Sequence, residues 1–242
     1  MECGEFDKRN KEYYEKFSKS FYFQQLILNK NFDKKVRING ENQVILDVGA
    51  HNGESAKFFN QIFPTAKIYS FEPIPKMAKA IKQLAYRNNI VVQCALSNFN
   101  GNQDFYIQDI SHLSSLHKVN RNSKESLGYH QKETHKKILV EVVRGDTFMK
   151  EHGLSTIDLL KIDVQANEAQ ALEGFSDTIH SVKVVFVEVS FYDFYENKSS
   201  IKSIEEQLPN FELYDIFEIS KNPKTLRTDW ATLVYKNVSF FE

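Results

Sequence analysis

The 242-residue chain has only two cysteines, Cys3 and Cys94, far apart in sequence. That excludes a disulfide framework, and neither cysteine has the spacing of a zinc site. Cys94 lies inside an apolar strand-like run, where a packed core thiol is expected. No apolar run approaches the length that spans a bilayer, and the first twenty residues are charged and lack a signal-peptide core. A cytoplasmic location without stable membrane insertion is therefore expected. Basic charge is not in excess: the formal net charge is -1, which argues against general binding of nucleic acid. Nor does any Pro/Gly/Ser-rich linker divide the chain, so residues 41–242 read as a single domain. Residues 1–40 read as a helical extension packed on that core, with Tyr14, Phe17, Phe21 and Leu28 on one face of a helix over residues 11–29, and a turn at Asn39-Gly40. A composition of 41% hydrophobic and 26% charged residues fits a globular α/β domain with a sizeable core.

What is present is organised around Val44-Ile45-Leu46-Asp47-Val48-Gly49-Ala50-His51-Asn52-Gly53-Glu54. An apolar run ends in an acid, turns through two glycines and passes into apolar residues at helical spacing, which predicts strand, tight loop and helix. In an α/β sheet this arrangement forms a ligand crevice, with free helix amides beyond the strand end. A dinucleotide loop requires G-x-G-x-x-G, yet His51 and Glu54 occupy the second and third glycine positions. Pyrophosphate is disfavoured, and Glu54 at the helix mouth would repel phosphate. The D-x-G-x-x-x-G form looks instead like the first motif of S-adenosylmethionine (SAM)-dependent methyltransferases. Asp47, Gly49, Ala50, His51, Asn52 and Gly53 are accordingly the first candidate cofactor residues.

Further along, Ala66-Lys67-Ile68-Tyr69-Ser70-Phe71-Glu72-Pro73 predicts a second strand closed by an acid. Glu72 lies about twenty residues beyond the glycine loop, the separation expected of a carboxylate that accepts from a ribose diol. Pro75 opens a helix through Met77, Ile81 and Leu84. Residues 90–97 read as a third strand, placing Ser97 near the adenine edge, and residues 104–107 as part of a strand pair appended to the crossover. Residues 109–137 are polar and without period, as in a functional lid or mobile segment. They contain His112, His117, His130 and His135, with no metal-binding spacing among them. Residues 138–143 predict another strand, and Ile157-Asp158-Leu159-Leu160-Lys161-Ile162-Asp163 an apolar one ending in an acid. Lys161 within it needs a partner, expected among Asp163, Glu168 and Glu188. Residues 184–189 follow as a strand, 201–208 as a helix, and 211–219 with 232–235 as a closing antiparallel pair. Residues 220–229 between that pair are expected at the substrate entrance.

Taken together, Leu46-Asp47-Val48-Gly49-Ala50-His51-Asn52-Gly53, Tyr69-Ser70-Phe71-Glu72-Pro73, Ala95-Leu96-Ser97 with Gly101, Ser114-Ser115-Leu116, Asp146-Thr147 and Leu159-Leu160-Lys161-Ile162-Asp163-Val164 resemble the FkbM family of SAM-dependent methyltransferases. The resemblance implies the Rossmann-like class I methyltransferase fold, a seven-stranded, mostly parallel sheet between helices with one antiparallel strand near the edge. It also implies O-methyl transfer to a hydroxyl of a sugar, glycan or polyketide-like small molecule. Methyl transfer is an in-line displacement that rewards positioning, and the acceptor hydroxyl must lose a proton. Asp163 and Glu168 are expected to face the acceptor with Lys161 fixing the carboxylates, and His112 or His51 as the base, His51 being better suited to contact SAM. Acids of this kind also suit a divalent cation, although no spacing demands one. The family commonly continues its Lys-Ile-Asp-Val stretch with Glu-Gly and a further Glu, whereas this chain has Gln165-Ala166-Asn167-Glu168. That departure leaves open an alternative, a non-catalytic SAM-binding or scaffold protein of the same fold. A nicotinamide dehydrogenase is the remaining alternative.

Overall fold

The computed structural model describes residues 43–120, 122–123, 136–222 and 225–241. The expected helix over residues 11–29, the Asn39-Gly40 turn, His130 and His135 lie outside them. Strands β1 (Val44–Val48), β2 (Lys67–Phe71), β3 (Asn89–Val92), β7 (Ile157–Ile162), β8 (Val182–Ser190), β9 (Phe211–Lys221) and β10 (Thr228–Asn237) form one sheet in the order β3-β2-β1-β7-β8-β10-β9. β1, β2, β3, β7 and β8 are mutually parallel, and β10 runs antiparallel to both of its neighbours. This is the seven-stranded, mostly parallel sheet with one reversed strand that the family resemblance implies.

Alternation along the central strands separates two cores. Ile45, Ile68, Leu159 and Val184 pack with Phe58 and Phe59 of helix α1 (Glu54–Ile62) on one face. Leu46, Tyr69, Leu160 and Val185 pack on the other with Phe148 and Met149 of α3 (Gly145–Glu151), Leu172 of α4 (Glu168–Glu173) and Ile204 of α5 (Ile201–Glu205). Helix α2 (Pro75–Gln83) opens on its proline as expected, since the missing N–H has no intrahelical partner at that position.

Residues 90–97 do not form one strand. The main-sheet strand ends at Val92, and β4 (Ala95–Leu96) joins a second, three-stranded sheet in the order β4-β6-β5, with β5 (Gly101–Ile107) and β6 (Lys136–Val143). The predicted strands at 104–107 and 138–143 are therefore partners of each other, in antiparallel register. An apolar run gives no sign of such a break, because both halves are equally suited to a strand. The Asp146-Thr147 pair is structural: the Asp146 carboxylate accepts from Arg144 Nη2, the Thr178 amide and the Thr178 hydroxyl, tying the start of α3 to the turn after α4.

Candidate active site

The parallel strands β1, β2 and β7 deliver three loops to one cleft. After β1, Gly49, His51 and Gly53 all adopt left-handed backbone (φ 82, 48 and 87). The Gly49 and Ala50 amides donate to the Phe71 carbonyl, so the loop is bonded to the end of the next strand. Glycine is required at 49, where a Cβ would sit 1.9 Å from the Asp163 carbonyl oxygen. The strand-end loops after β1 and β7 thus touch through bare backbone.

Glu72 closes β2 and is only 4% exposed. Its Oε2 accepts from the His51 amide and its Oε1 from the Ile74 amide, both at 2.8 Å. Burial pushes its carboxyl up to about 7, against the pull of those two amide bonds. Two bonds from the flanking loops hold the carboxylate at the cleft edge while each oxygen keeps a free lone pair. His51 also places its ring Nε2 2.8 Å from Ser111 Oγ, and its ring meets that of His112 edge-to-face with centroids 6.3 Å apart.

The cavity has a volume of about 390 Å³, within the range of small-molecule sites, roughly 300–1,000 Å³. Of the residues expected from sequence, Gly49, Ala50, His51, Asn52, Glu72, His112, Lys161 and Asp163 line it. The other four do not. Asp47 is fully buried within the sheet, where register sets it beside Lys161, and Lys161 Nζ lies 3.2 Å from its Oδ1. The principal partner of Lys161 is thus Asp47; Asp163 Oδ2 is farther, at 3.7 Å, and Glu168 and Glu188 are not its ion-pair partners. Gly53 caps α1 with its α-carbon against Ile81 and Leu84 beside α2. Ser97 is buried where the chain passes under Gly174, so Cys94, Ala95 and Leu96 present the wall in its place.

Glu168, contrary to the expectation that it faces the acceptor, folds back on its own loop. Its Oε1 accepts from the Ala166 amide at 3.0 Å, and burial pushes its carboxyl up to about 7. A carboxyl held protonated by the fold stabilises below the unfolded value of 4.5, and that stability is lost as pH rises through about 7. Its contribution is on the order of 3 kcal/mol. Glu168→Gln keeps the accepting oxygen, so urea midpoints of the variant should fall less than those of the wild type between pH 5 and pH 8.

Sequence reasoning missed the far wall, formed by Ser190, Tyr192 and Trp230. None of the described residues among 220–229 lines the cleft; the chain reaches it at Trp230, opposite Ser190 in the β8–β10 register. Gln165 and Glu188 also line it, as do Ser111, His112, Leu113, Ser114 and Leu116 from the polar segment that begins at residue 109. Ser115 is fully buried and donates to the Gln165 carbonyl, which holds the left-handed pair Gln165 and Ala166 (φ 56 and 85). Where this chain has Ala166 the family commonly has glycine, the residue such a conformation favours. The Cys94 thiol is pushed up to about 12 by burial, and so behaves as a packed core group. Among the described residues no group of three or more His, Cys, Asp or Glu is placed to hold a metal ion, and no helix is long and apolar enough to cross a membrane.

A reversed strand near the edge of a parallel sheet, a glycine loop after β1 and an acid closing β2 define a class I SAM-dependent methyltransferase. The Methyltransferase FkbM domain matches residues 47–215, and the chain belongs to that family. It is 29% identical to the 2-O-methyltransferase NoeI of Sinorhizobium fredii over 176 residues, 70% of this chain and 72% of the relative. It is 31% identical to the 31-O-demethyl-FK506 methyltransferase FkbM of Streptomyces tacrolimicus over 156 residues, 55% of this chain and 60% of the relative. Among solved structures, fibrillarin of Aeropyrum pernix with bound SAM aligns over 88% of this chain and 74% of its own, with 14% identity and a TM-score of 0.47. The family match and the two named methyltransferases lend no support to the scaffold alternative.

Proposed function

We propose that the protein methylates a hydroxyl of a saccharide or polyketide-like small molecule within this cleft. The observation that carries the reading is the presence in one cavity of two separate carboxylate stations, Glu72 at the end of β2, and Asp163 with Glu188 at the ends of β7 and β8. The names of NoeI, a 2-O-methyltransferase, and of the 31-O-demethyl-FK506 methyltransferase support O-methyl transfer, and that of the hexuronic acid methyltransferase AglP of Haloferax volcanii, 25% identical over 152 residues, supports a saccharide acceptor. A nucleic-acid acceptor is set aside because the formal net charge is -1, without the basic excess that phosphate binding needs.

The residues present fit SAM. Glu72 offers two oxygens to the ribose hydroxyls, and the loop through Gly49, Ala50, His51 and Asn52 brings backbone close to the ligand. When bound, SAM supplies a methyl group on a sulfonium, which departs as a neutral thioether. Asp163 and Glu188 accept from the acceptor's hydroxyls and hold the reacting oxygen in line. His112, which lines the same cavity, takes that hydroxyl's proton. His51 is committed to Ser111 and the cofactor loop.

Because Glu72 must be ionised to accept both hydroxyls, SAM affinity should rise with pH up to about 7 and level off above it. Well below that value the loss approaches about tenfold per pH unit. Calorimetric SAM titrations from pH 5.5 to 8.5 check this, and Glu72→Gln should abolish the dependence. His112→Ala should lower the rate constant at saturating SAM and acceptor by about 100-fold or more while SAM affinity holds. An unchanged rate would remove His112 from the reaction.

A further inference from the structure

The far wall of the cleft is aromatic. Trp230 and Tyr192 both line the cavity and both are half-buried, so each side chain is covered by protein on one part and open on another. Trp230 stands opposite Ser190 on β8, and Ser190 lies two residues beyond Glu188, so the three share one face of the sheet. Diagonal neighbours such as Glu188 and Trp230 stand roughly 7–8 Å apart, a span that one sugar ring with its hydroxyls bridges.

The placement of Trp230 is built into its strand. Its pairing with β8 is unbroken, but the β9 register shifts on both sides of it, and on β9 Glu218 takes up left-handed backbone (φ 51). Irregularities of this kind re-aim a side chain beside a site. The Asp229 carbonyl accepts from the Phe191 amide at 2.8 Å and the Phe191 carbonyl from Arg227 Nη2 at 2.6 Å, which closes the pairing beside Trp230. Tyr192 is braced by the buried cluster of Leu113, Val119, Ala166, Phe194 and Tyr195, with its ring edge-to-face on Phe194 and the centroids 6.1 Å apart. The methyl transfer itself uses neither ring.

Aromatic faces carry the negative part of their quadrupole, and the C–H groups of a sugar ring, each beside an electron-withdrawing oxygen, are weakly positive. A pyranose therefore offers an apolar face to an indole while its rim of hydroxyls reaches carboxyl oxygens, which accept in either protonation state. A polyketide-like chain has no such division between face and rim. We propose that Trp230, with Tyr192 beside it, is the platform on which the acceptor stacks, and that the acceptor is a cyclic saccharide with its C–H face on this wall and its hydroxyls toward Asp163 and Glu188. The assignment rests on the methyltransferase reading and narrows it from two acceptor classes to one.

Trp230 is the single tryptophan of the chain, so every tryptophan signal reports this wall. Methyl glucopyranoside, methyl galactopyranoside, methyl mannopyranoside and N-acetylglucosamine are titrated into the 242-residue protein, with and without S-adenosylhomocysteine, which has no methyl group to transfer. At least one of these sugars should change the emission saturably, whereas glucitol, an open-chain polyol, and the macrolactone erythronolide B should not. By calorimetry the responding sugar should bind Trp230→Leu at least about tenfold more weakly than wild type, and Trp230→Phe within about threefold of it. SAM affinity should be the same in all three. Should Trp230→Leu fail to fold, Tyr192→Leu carries the test, with an expected loss of about threefold. No emission change with any of the sugars, an equal response to glucitol or erythronolide B, or undiminished sugar affinity in Trp230→Leu would overturn the assignment, as would a loss of SAM affinity equal to that for sugar. Failure of the wild type to bind SAM would strike instead at the methyltransferase reading, and the sugar titrations would still decide the role of the wall.

Discussion

Lys161→Met is expected to lower folding stability by about 3–5 kcal/mol, the range seen when one member of a buried ion pair is removed. Asp47 is fully buried on β1 and faces Lys161 across the β1–β7 register, with the ammonium 3.2 Å from its Oδ1. Removing that ammonium takes an ion-pair partner from a carboxylate that is fully buried inside the sheet, which is costly. The desolvation penalty disappears if both charges go, so Asp47→Leu combined with Lys161→Met should recover most of the loss. Urea unfolding of the three variants checks the cycle. A single-variant loss below about 1 kcal/mol, as for an exposed pair, would show that the two charges are not coupled in this way. The substitution also loosens Asp163, 3.7 Å from the same nitrogen, so any activity that survives should be weaker.

Gly49→Ala should be of similar severity and should also remove SAM binding. The position combines a φ of 82 with a point of contact where a Cβ would stand 1.9 Å from the Asp163 carbonyl oxygen. Backbone on both sides has no rotamer with which to yield, so the β1 and β7 loops would have to separate. A loss of about 3 kcal/mol or more is expected from strain and overpacking together. Gly153 provides the comparison, since its φ is 62 but nothing lies within 4 Å of its added Cβ. Gly153→Ala should lose only about 1–2 kcal/mol, the cost of a left-handed alanine. Equal melting temperatures for the two variants would mean that contact at Gly49 contributes nothing beyond conformation.

The glycine loop and Glu72 were legible in the sequence because each is local: an apolar run, a strand-ending acid and a turn announce themselves within a few residues. The antiparallel β9–β10 pair was legible in the runs at 211–219 and 232–235, while the reversed strand's place in a mostly parallel sheet was legible through the family resemblance. What could not be read depended on pairing. Asp47 and Gly49 are two residues apart, yet one faces a neighbouring strand and the other the cleft, and only register with β7 separates them. Glu168 follows Asp163 closely, but a left-handed turn at Gln165 and Ala166 reverses the chain and carries it out of the cleft. That same turn brings Gln165 inward, so the departure from the family pattern became a link between two carboxylates where sequence alone suggested a lost function. Trp230 joins the site through the antiparallel β8–β10 pairing, opposite Ser190, and Tyr192 from just beyond the end of β8, for which their neighbours in sequence give no signal.

The central claim is that SAM is held at the β1–β2 end of the cleft by Glu72. Calorimetric titration of SAM into folded wild type, Glu72→Ala and Glu168→Gln at pH 8 tests it most directly. The wild type should give saturable one-to-one binding, Glu168→Gln the same affinity, and Glu72→Ala an affinity at least about tenfold weaker, the loss of charge-assisted hydrogen bonds. Equal affinity for wild type and Glu72→Ala, or no binding heat from folded wild type, would contradict it.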